Sequence, residues 1–491
     1  MGEVEVKGLD DPKASIRKGF KWIGIGSMVS QSFDAVSFFI VMLFITKSDM
    51  GLATLAVGFS AFVEAFNSMG VNVAFLQDAN PTEDETHSLF WFSSGFGIFV
   101  FLLSIPLSMG ISAFYGVALL LPLLLASFAK TIFVCIGEIP LQLINRRFDF
   151  HQISLTQMIA TFLCSITKIV LAFLGFGAWS LVLANTLYGV ISCSCSIIFS
   201  KFRPKLHFRR SECTRFMKFG IKHCVGSSIE QLNKNLHYFV IGKFCGESLL
   251  GVYRVAFEFA MTPALALFRI VNKSSFPIFA KIKSNRNLLS ELFAWNQKNI
   301  AIFCAVPMVF IYYCAVDVFT LQGIPAWFEA LVFIAPVLMI SLLRSLSQTF
   351  PELYRACGSP ERSLYIASAE TLLSLLLFPL VLFLVDGSMA IRIMLGVWIL
   401  LFIALLIVHY HFAKRYVNLT PFSIPRSFMY AFGYFALCFI PCEFLTHYRD
   451  ALPFNPWLHL IGQVLLMSFF LWLYAKKILN ISFKFKKQVA K

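Results

Sequence analysis

Apolar runs long enough to cross a bilayer recur from Trp22 almost to the C-terminus, separated by short polar connections. Spanning hydrocarbon takes about 20 residues as a helix. About fourteen runs qualify: roughly 20–45, 51–76, 87–109, 112–137, 153–174, 177–200, 216–245, 249–279, 299–321, 327–350, 363–385, 391–412, 427–446 and 457–478. The pattern predicts an all-α polytopic membrane protein. One run breaks the apolar rule. Within 216–244, His223, Glu230, Lys234 and His237 project within roughly 60° of one another at about 100° per residue. Ionisable groups facing lipid cost about 2.5–3.5 kcal/mol each on insertion scales. That face is therefore expected to meet water, a counter-charge or a polar ligand, which points to transport.

The chain also echoes itself at an offset of about 200 residues. Gly26-Ser27 matches Gly226-Ser227, Gln31 matches Gln231, and Phe39, Phe44, Gly51, Ala56, Phe59 and Asn72 recur as Phe239, Phe244, Gly251, Ala256, Phe259 and Asn272. A shift of six spans keeps both copies in the same orientation, so two six-helix lobes related by a parallel repeat are expected, followed by two C-terminal helices. The expected divisions are a cytoplasmic tail at 1–17, an N-lobe at 18–200, a C-lobe at 201–412, spans 13 and 14 within 413–479, and a basic cytoplasmic tail at 480–491. A water-filled vestibule enclosed by the lobes would hold the substrate.

Charge supports that layout. The net charge of +15 could suggest nucleic acid, but the cations sit in alternate loops, as at Arg146 and Arg147, Lys201 to Arg215, and Lys414 and Arg415. That is the positive-inside pattern, and it places both termini in the cytoplasm. The loop Gln77–His87 is acidic although it falls on the inner side. With 58% hydrophobic and 14% charged residues, against about 25% charged in soluble domains, a soluble enzyme is excluded. No connection is long enough for a catalytic domain, so the chain is read as a non-enzyme. A membrane glycan polymerase would have only Asp317, Asp386 and Arg449 as candidates in outward loops. The twelve cysteines lack metal or disulfide spacing, and Gly24-Ile25-Gly26 is not followed by a phosphate-binding motif. No cofactor is expected. The first apolar run is too long for a cleavable signal.

Residues 203–282 resemble the polysaccharide transport family, the Wzx-type oligosaccharide flippases of the multidrug/oligosaccharidyl-lipid/polysaccharide exporter superfamily. The resemblance rests on RPKLHF (203–208), RFMKFGIKHCVGSS (215–228), NKNLHYFVIGKFCGESLLGVYRVAFEFAMTP (233–263) and FPIFAKI (276–282). SDMGLATLAVGFSAF (48–62), RRFDF (146–150) and GFGAWSLVLANTL (175–187) extend it, and it weakens after about residue 350. It implies a flippase of the bacterial inner membrane that turns an undecaprenyl-diphosphate-linked oligosaccharide to the outer leaflet by alternating access, often driven by H⁺ or Na⁺. Polysaccharide assembly machinery is an implied partner. A peptidoglycan-precursor flippase and a drug antiporter share the superfamily. Many relatives carry Asp where this chain has His237, which transfers any coupling role to a group titrating nearer neutral pH.

A diphosphate-linked sugar needs cations along a wet passage. The candidates are Lys234, Arg269, Arg254, Lys168 and Arg344; Lys130 and Lys273 lie where they could snorkel to an interface. Candidate ion-coupling groups are Glu230, Asp34, Glu64, Glu258, Glu370 and His237. Glu230 with Lys234, and Arg254 with Glu258, are i,i+4 pairs that suit either competition for substrate or a static bridge. Asp34 and Lys234 occupy equivalent repeat positions and are expected to face each other.

Overall fold

The computed structural model describes residues 12–78, 81–321, 325–418, 429, 431–438, 442–443, 459–473 and 476, with backbone alone at 12–21, 68, 219, 222–223, 263–278, 281, 303, 325–326 and 360. Fourteen numbered helices follow in order: α1 (Pro12–Val41), α2 (Lys47–Glu64), α3 (Val71–Gln77), α4 (Glu83–Tyr115), α5 (Leu120–Arg146), α6 (Phe150–Phe173), α7 (Ala178–Ser200), α8 (Arg210–Phe244), α9 (Gly246–Ile282), α10 (Arg286–Leu321), α11 (Leu331–Ser347), α12 (Thr349–Ala356), α13 (Pro360–Leu384) and α14 (Gly387–Ala413). Residues 431–438 and His459–Leu473 are also helical. Nine described helices are long and apolar enough to cross a membrane. Helix α8 is not among them, because its polar residues bring its hydropathy down. Spans 2 and 10 of the sequence reading are each broken into two helices, and parts of spans 13 and 14 lie outside the described residues.

By packing, the chain forms two compact units, Met1–Gly251 and Val252–Lys491. The division falls 51 residues later than the expected boundary at 200/201, since α8 packs on α2, α3 and α4. In the first unit α1 lies against α6, while α5 is central, touching α4, α7 and α2. Small residues set these approaches: Gly26 rests on Ser154, Gly97 on Cys135, Gly137 on Cys193 and Gly189 on the Lys130 side chain. In the second unit α11 packs on α10 and α14, and α13 on α14.

Two features of the first unit follow from glycine. At residues 65–70, between α2 and α3, the chain turns through a 3₁₀ segment (Asn67–Gly70), and Gly70 takes a left-handed φ of 71° against the Gly220 backbone of α8. The break frees the Ala65 carbonyl, which accepts from Ser227 Oγ at 3.3 Å and from Cys224 Sγ at 3.6 Å. Interrupted backbone at membrane depth survives only with such partners. The second feature is a crossing of repeat equivalents. A Cβ on Gly51 would sit 1.8 Å from the Glu247 carbonyl oxygen, and one on Gly251 would sit 1.9 Å from the Lys47 carbonyl oxygen. Residues 47 and 51 thus meet 251 and 247, their partners at the 200-residue offset. Gly51→Leu or Gly251→Leu is expected to destabilise the protein by about 1–3 kcal/mol, as overpacking does. Gly24→Ala, where no atom lies within 4 Å, should leave thermal unfolding of the detergent-solubilised protein unchanged or slightly raised.

The acidic loop finds its explanation at the start of α4. Thr82 and Glu85 form a capping box, and Glu83, Asp84 and Glu85 occupy the first turn, where the helix dipole favours anions. Arg215 of α8 pairs with Asp78 and, at 3.2 Å, with Glu85, while Arg146 donates to the Phe75 carbonyl at 2.9 Å. The linker before α8 is tied to the same place. Trp91 Nε1 donates to the Lys205 carbonyl at 2.8 Å, the Arg209 N–H donates to Ser88 Oγ at 3.1 Å, and Ser88 Oγ donates to Glu212 Oε2 at 2.5 Å. Glu212 lies in the first turn of α8, ahead of its apolar stretch. The Ser88 hydrogen bond holds its carboxyl below the usual range; burial opposes this, and His207 and Arg209 reinforce it. A carboxyl with a depressed folded-state pKa stabilises above its unfolded pKa and loses that contribution as pH falls through the folded value. Hydrogen exchange in 203–212 should therefore rise on acidification below the ordinary carboxylate range, and Ser88→Ala should move that rise to higher pH.

Candidate transport site

In the first unit two lysines, Lys168 buried and Lys130 half-buried, each hold a carboxylate from a different helix. Lys168 of α6 is 8% exposed at its side chain and places Nζ 2.5 Å from Asp34 Oδ1 of α1, whose side chain is 69% exposed. Lys130 of α5 reaches Glu64 Oε1 at 3.0 Å and Asn185 Oδ1 of α7 at 3.3 Å. Glu64 is the last residue of α2, and Ser60 Oγ also donates to it at 3.1 Å. A lysine at that helix end satisfies both the carboxylate and the negative pole of the dipole. The two pairs belong to one neighbourhood, because Lys168, Asp34 and Lys130 all act electrostatically on Cys164, and Glu64 and Asp34 on Tyr188. Lys130 therefore turns inward to a carboxylate rather than snorkelling. Its pairing, with Asn185 and Tyr188 beside it, is the part of the site that sequence spacing did not reveal, since the contacts join helices far apart in the chain.

On α8, Lys234 Nζ lies 2.6 Å from Glu230 Oε1, with side chains 46% and 67% exposed. His237 is seven residues beyond Glu230, only about 20° round the helix, yet it is fully buried, its ring 4.0 Å from that of Tyr238. On the opposite side of α8, Phe59 of α2 stacks on Phe239 at 4.1 Å, and Tyr115 Oη donates to the Phe239 carbonyl at 2.8 Å. The polar face is open in mid-helix and closed one to two turns later. Asp34 is engaged by Lys168 and Lys234 by Glu230, so each of these repeat equivalents has a different partner from the other. The side chain of His223 lies outside the described residues.

In the second unit Arg254 and Glu258 of α9 form the expected i,i+4 ion pair, half-buried, and Thr262 Oγ1 donates to Glu258 Oε2 at 2.6 Å. Arg344 of α11 and Glu370 of α13 are half-buried. Arg344 has no ion-pair partner among the described residues. The side chains of Arg269 and Lys273 lie outside the described residues.

Residues 40–322, more than half of the chain, match the family described as "Polysaccharide biosynthesis protein". The chain belongs to this family. It is 23% identical over 364 residues to the teichuronic acid biosynthesis protein TuaB of Bacillus subtilis, covering 73% of this chain and 74% of that one. It is 25% identical over 280 residues to the lipopolysaccharide biosynthesis protein WzxC of Escherichia coli, covering 55% and 56%, and 24% identical over 277 residues to the succinoglycan biosynthesis transport protein ExoT of Rhizobium meliloti, covering 54% of each. Matches to the last two thus span about half of those relatives. Its fold is similar to that of the lipid II flippase MurJ in an inward closed conformation, with a TM-score of 0.70 at 15% identity over 93% of this chain and 99% of that one. An inward-facing multidrug transporter of the MATE family gives 0.55 at 14% identity over 83% and 95%. The protein is thus an all-α, multi-pass membrane protein with a transporter fold.

The unequal burial of Lys168 and Asp34 dictates an asymmetry. Asp34→Asn strands a buried ammonium, whereas Lys168→Met leaves a carboxylate already largely exposed. Asp34→Asn should cost about 1.5–3 kcal/mol, the worth of a hydrogen bond to a charged group, and Lys168→Met distinctly less. Thermal unfolding of the two purified variants compares them.

Proposed function

We propose that the protein is a flippase for an undecaprenyl-diphosphate-linked oligosaccharide repeat unit, carrying it from the cytoplasmic to the outer leaflet of a bacterial inner membrane by alternating access. Its product would feed O-antigen, capsule or exopolysaccharide synthesis, alongside the machinery that assembles those polymers. The cations of alternate loops support cytoplasmic termini. The reading is supported by the family, by relatives named for three different polysaccharides, and by a fold shared with a flippase of another lipid-linked precursor.

The observation that carries it is the exposed Glu230–Lys234 pair halfway along α8. Two long charged side chains are held open where hydrocarbon would penalise them, as a wet passage requires. A diphosphate headgroup competes with Glu230 for Lys234, and the released carboxylate then takes up a proton or a sodium ion. Asp34, Glu64, Glu258, Glu370 and His237 are further coupling groups; Lys168, Arg254, Arg269 and Arg344 are further cations for the phosphates. On the positive-inside orientation the open stretch of α8 faces the cytoplasmic side and the closed stretch at His237 the outer side, which suits loading from within. A second reading, transport of a lipid-linked peptidoglycan precursor, draws on the extent of the fold likeness to MurJ.

Reconstituted protein with a fluorescent polyprenyl-diphosphate oligosaccharide should expose the label to an external quencher. Lys234→Ala and Arg254→Ala should each slow this by about tenfold, the loss of one charge-assisted contact, while Glu230→Gln should remove the dependence on an imposed ion gradient. Wild-type rates in both cation variants would overturn the site. Faster turnover of a muramyl-pentapeptide lipid than of the oligosaccharide lipid would favour the second reading.

A further inference from the structure

Between α7 and α8 the chain runs as an irregular linker whose two sides differ in character. The inner side is fastened to α4. Phe202 packs on Phe90 and His87, with ring centroids 5.5 and 5.2 Å away. The Lys205 N–H donates to His87 Nδ1 at 3.2 Å, and the Lys205 carbonyl accepts from Trp91 Nε1 and, at 2.8 Å, from the His207 N–H. The last of these bonds closes a three-residue turn with Leu206 at its apex. Leu206 is 93% exposed, and Phe208 beyond it is 56% exposed. The outer side is also basic. Arg203, Lys205, Arg209 and Arg210 are exposed, and among the described residues Arg203 and Arg210 have no ion-pair partner. Lys205 meets Glu83 only at 3.6 Å and Arg209 meets Glu212 only at 4.0 Å, so neither cation is firmly engaged. The exposed acids of the first turn of α4, Glu83 and Asp84, leave the patch net positive. Finally, the linker starts at a membrane boundary. Helix α7 is long and apolar enough to span a bilayer and ends at Ser200, with Ile198 of its last turn 67% exposed.

We propose that residues 201–210 dock onto anionic phospholipid in the leaflet at that end of α7. On the positive-inside orientation this is the cytoplasmic leaflet, whose surface is negative. Leu206 and Phe208 enter the boundary between headgroups and acyl chains, and Arg203, Lys205, Arg209 and Arg210 bind the lipid phosphates. Attachment at an interface grows with buried apolar area and with attraction to anionic headgroups, and the turn supplies both at one place. Arginine holds a phosphate by two parallel hydrogen bonds, and each cation beside an anionic leaflet strengthens attachment by about fivefold. A zwitterionic lipid offers the same chain boundary without the net charge, so the preference is for a monoanionic headgroup such as phosphatidylglycerol. An acidic protein would match the cations but not Leu206 and Phe208, which stand just past the level where Ile198 is open to hydrocarbon. Because the linker is bonded to α4 and leads into α8, lipid held there restrains the starts of both helices.

The test uses the full-length protein in phosphatidylcholine nanodiscs and needs no transport assay, so it stands or falls apart from the flippase reading. Phosphatidylglycerol and phosphatidylcholine probes, each with a photoactivatable diazirine on the acyl chain next to the headgroup, are added separately, and the crosslinked residues are mapped by mass spectrometry. The phosphatidylglycerol probe should label Leu206, Phe208 and their neighbours about tenfold more than the phosphatidylcholine probe, the product of two or more cations. That preference should fall about fivefold in Arg203→Gln and again in Arg210→Gln, and should shrink as salt is added. Leu206→Ser should lower labelling by both probes. All three side chains are exposed, so the variants should unfold at the temperature of the parent. The comparison of the two probes on the unaltered protein decides the question without any variant. Equal labelling by the two lipids, a preference that survives loss of both arginines, or labelling confined to other segments would each overturn the proposal. A linker that neither probe reaches is solvated or covered by a protein partner, and that outcome overturns it as well.

Discussion

A charge inside hydrocarbon must have a partner, and the polar architecture of this chain follows from that rule. Lys168 is buried and Lys130 half-buried, and neither is alone; each reaches a carboxylate carried by another helix, at 2.5 and 3.0 Å. Glu64 and Lys130 use the end of α2, where backbone carbonyls already favour a cation. Arg254 and Glu258 settle the same demand within one helix. The Glu230–Lys234 pair differs because both members are well exposed, so the pairing is not forced by burial and is free to be exchanged.

Broken and closely crossing backbone makes room for these pairs. The interruption after α2 ends a helix where Glu64 can meet Lys130, and the price in unpaired backbone is met by Ser227 and Cys224. At the same level Gly70 and Gly220 allow α8 to approach. Further along, Phe59 and Tyr115 close over Phe239. The polar face of α8 passes from the exposed Glu230 to the buried His237 over about two turns, which is the geometry that a one-sided passage needs.

Much of this was legible in the chain and some was not. The apolar runs that fall on described residues are helical, spans 2 and 10 in two pieces each, because the absence of water leaves the backbone little alternative. The i,i+4 pairs at 230/234 and 254/258 were readable because helical spacing alone brings them together. Asp34 with Lys168, Glu64 with Lys130 and Asp317, inside α10 rather than in an outward loop, with His459 were not, since each joins helices whose rotations and depths no local pattern specifies. His237 shows the limit most clearly. Periodicity put it on the same face as Glu230 and Lys234, but whether that face is open at its level depends on tertiary packing that no local pattern specifies. The acidic loop at 77–87 also made sense only in three dimensions, as a capped helix start facing Arg215.

The glycine crossing carries a consequence for how such a chain can change. Position 51 touches 247 and position 251 touches 47, a reciprocal contact of the kind found across a two-fold axis in symmetric dimers. Because the two sides of that seam belong to one polypeptide, they are encoded separately, and each glycine limits only the backbone opposite it.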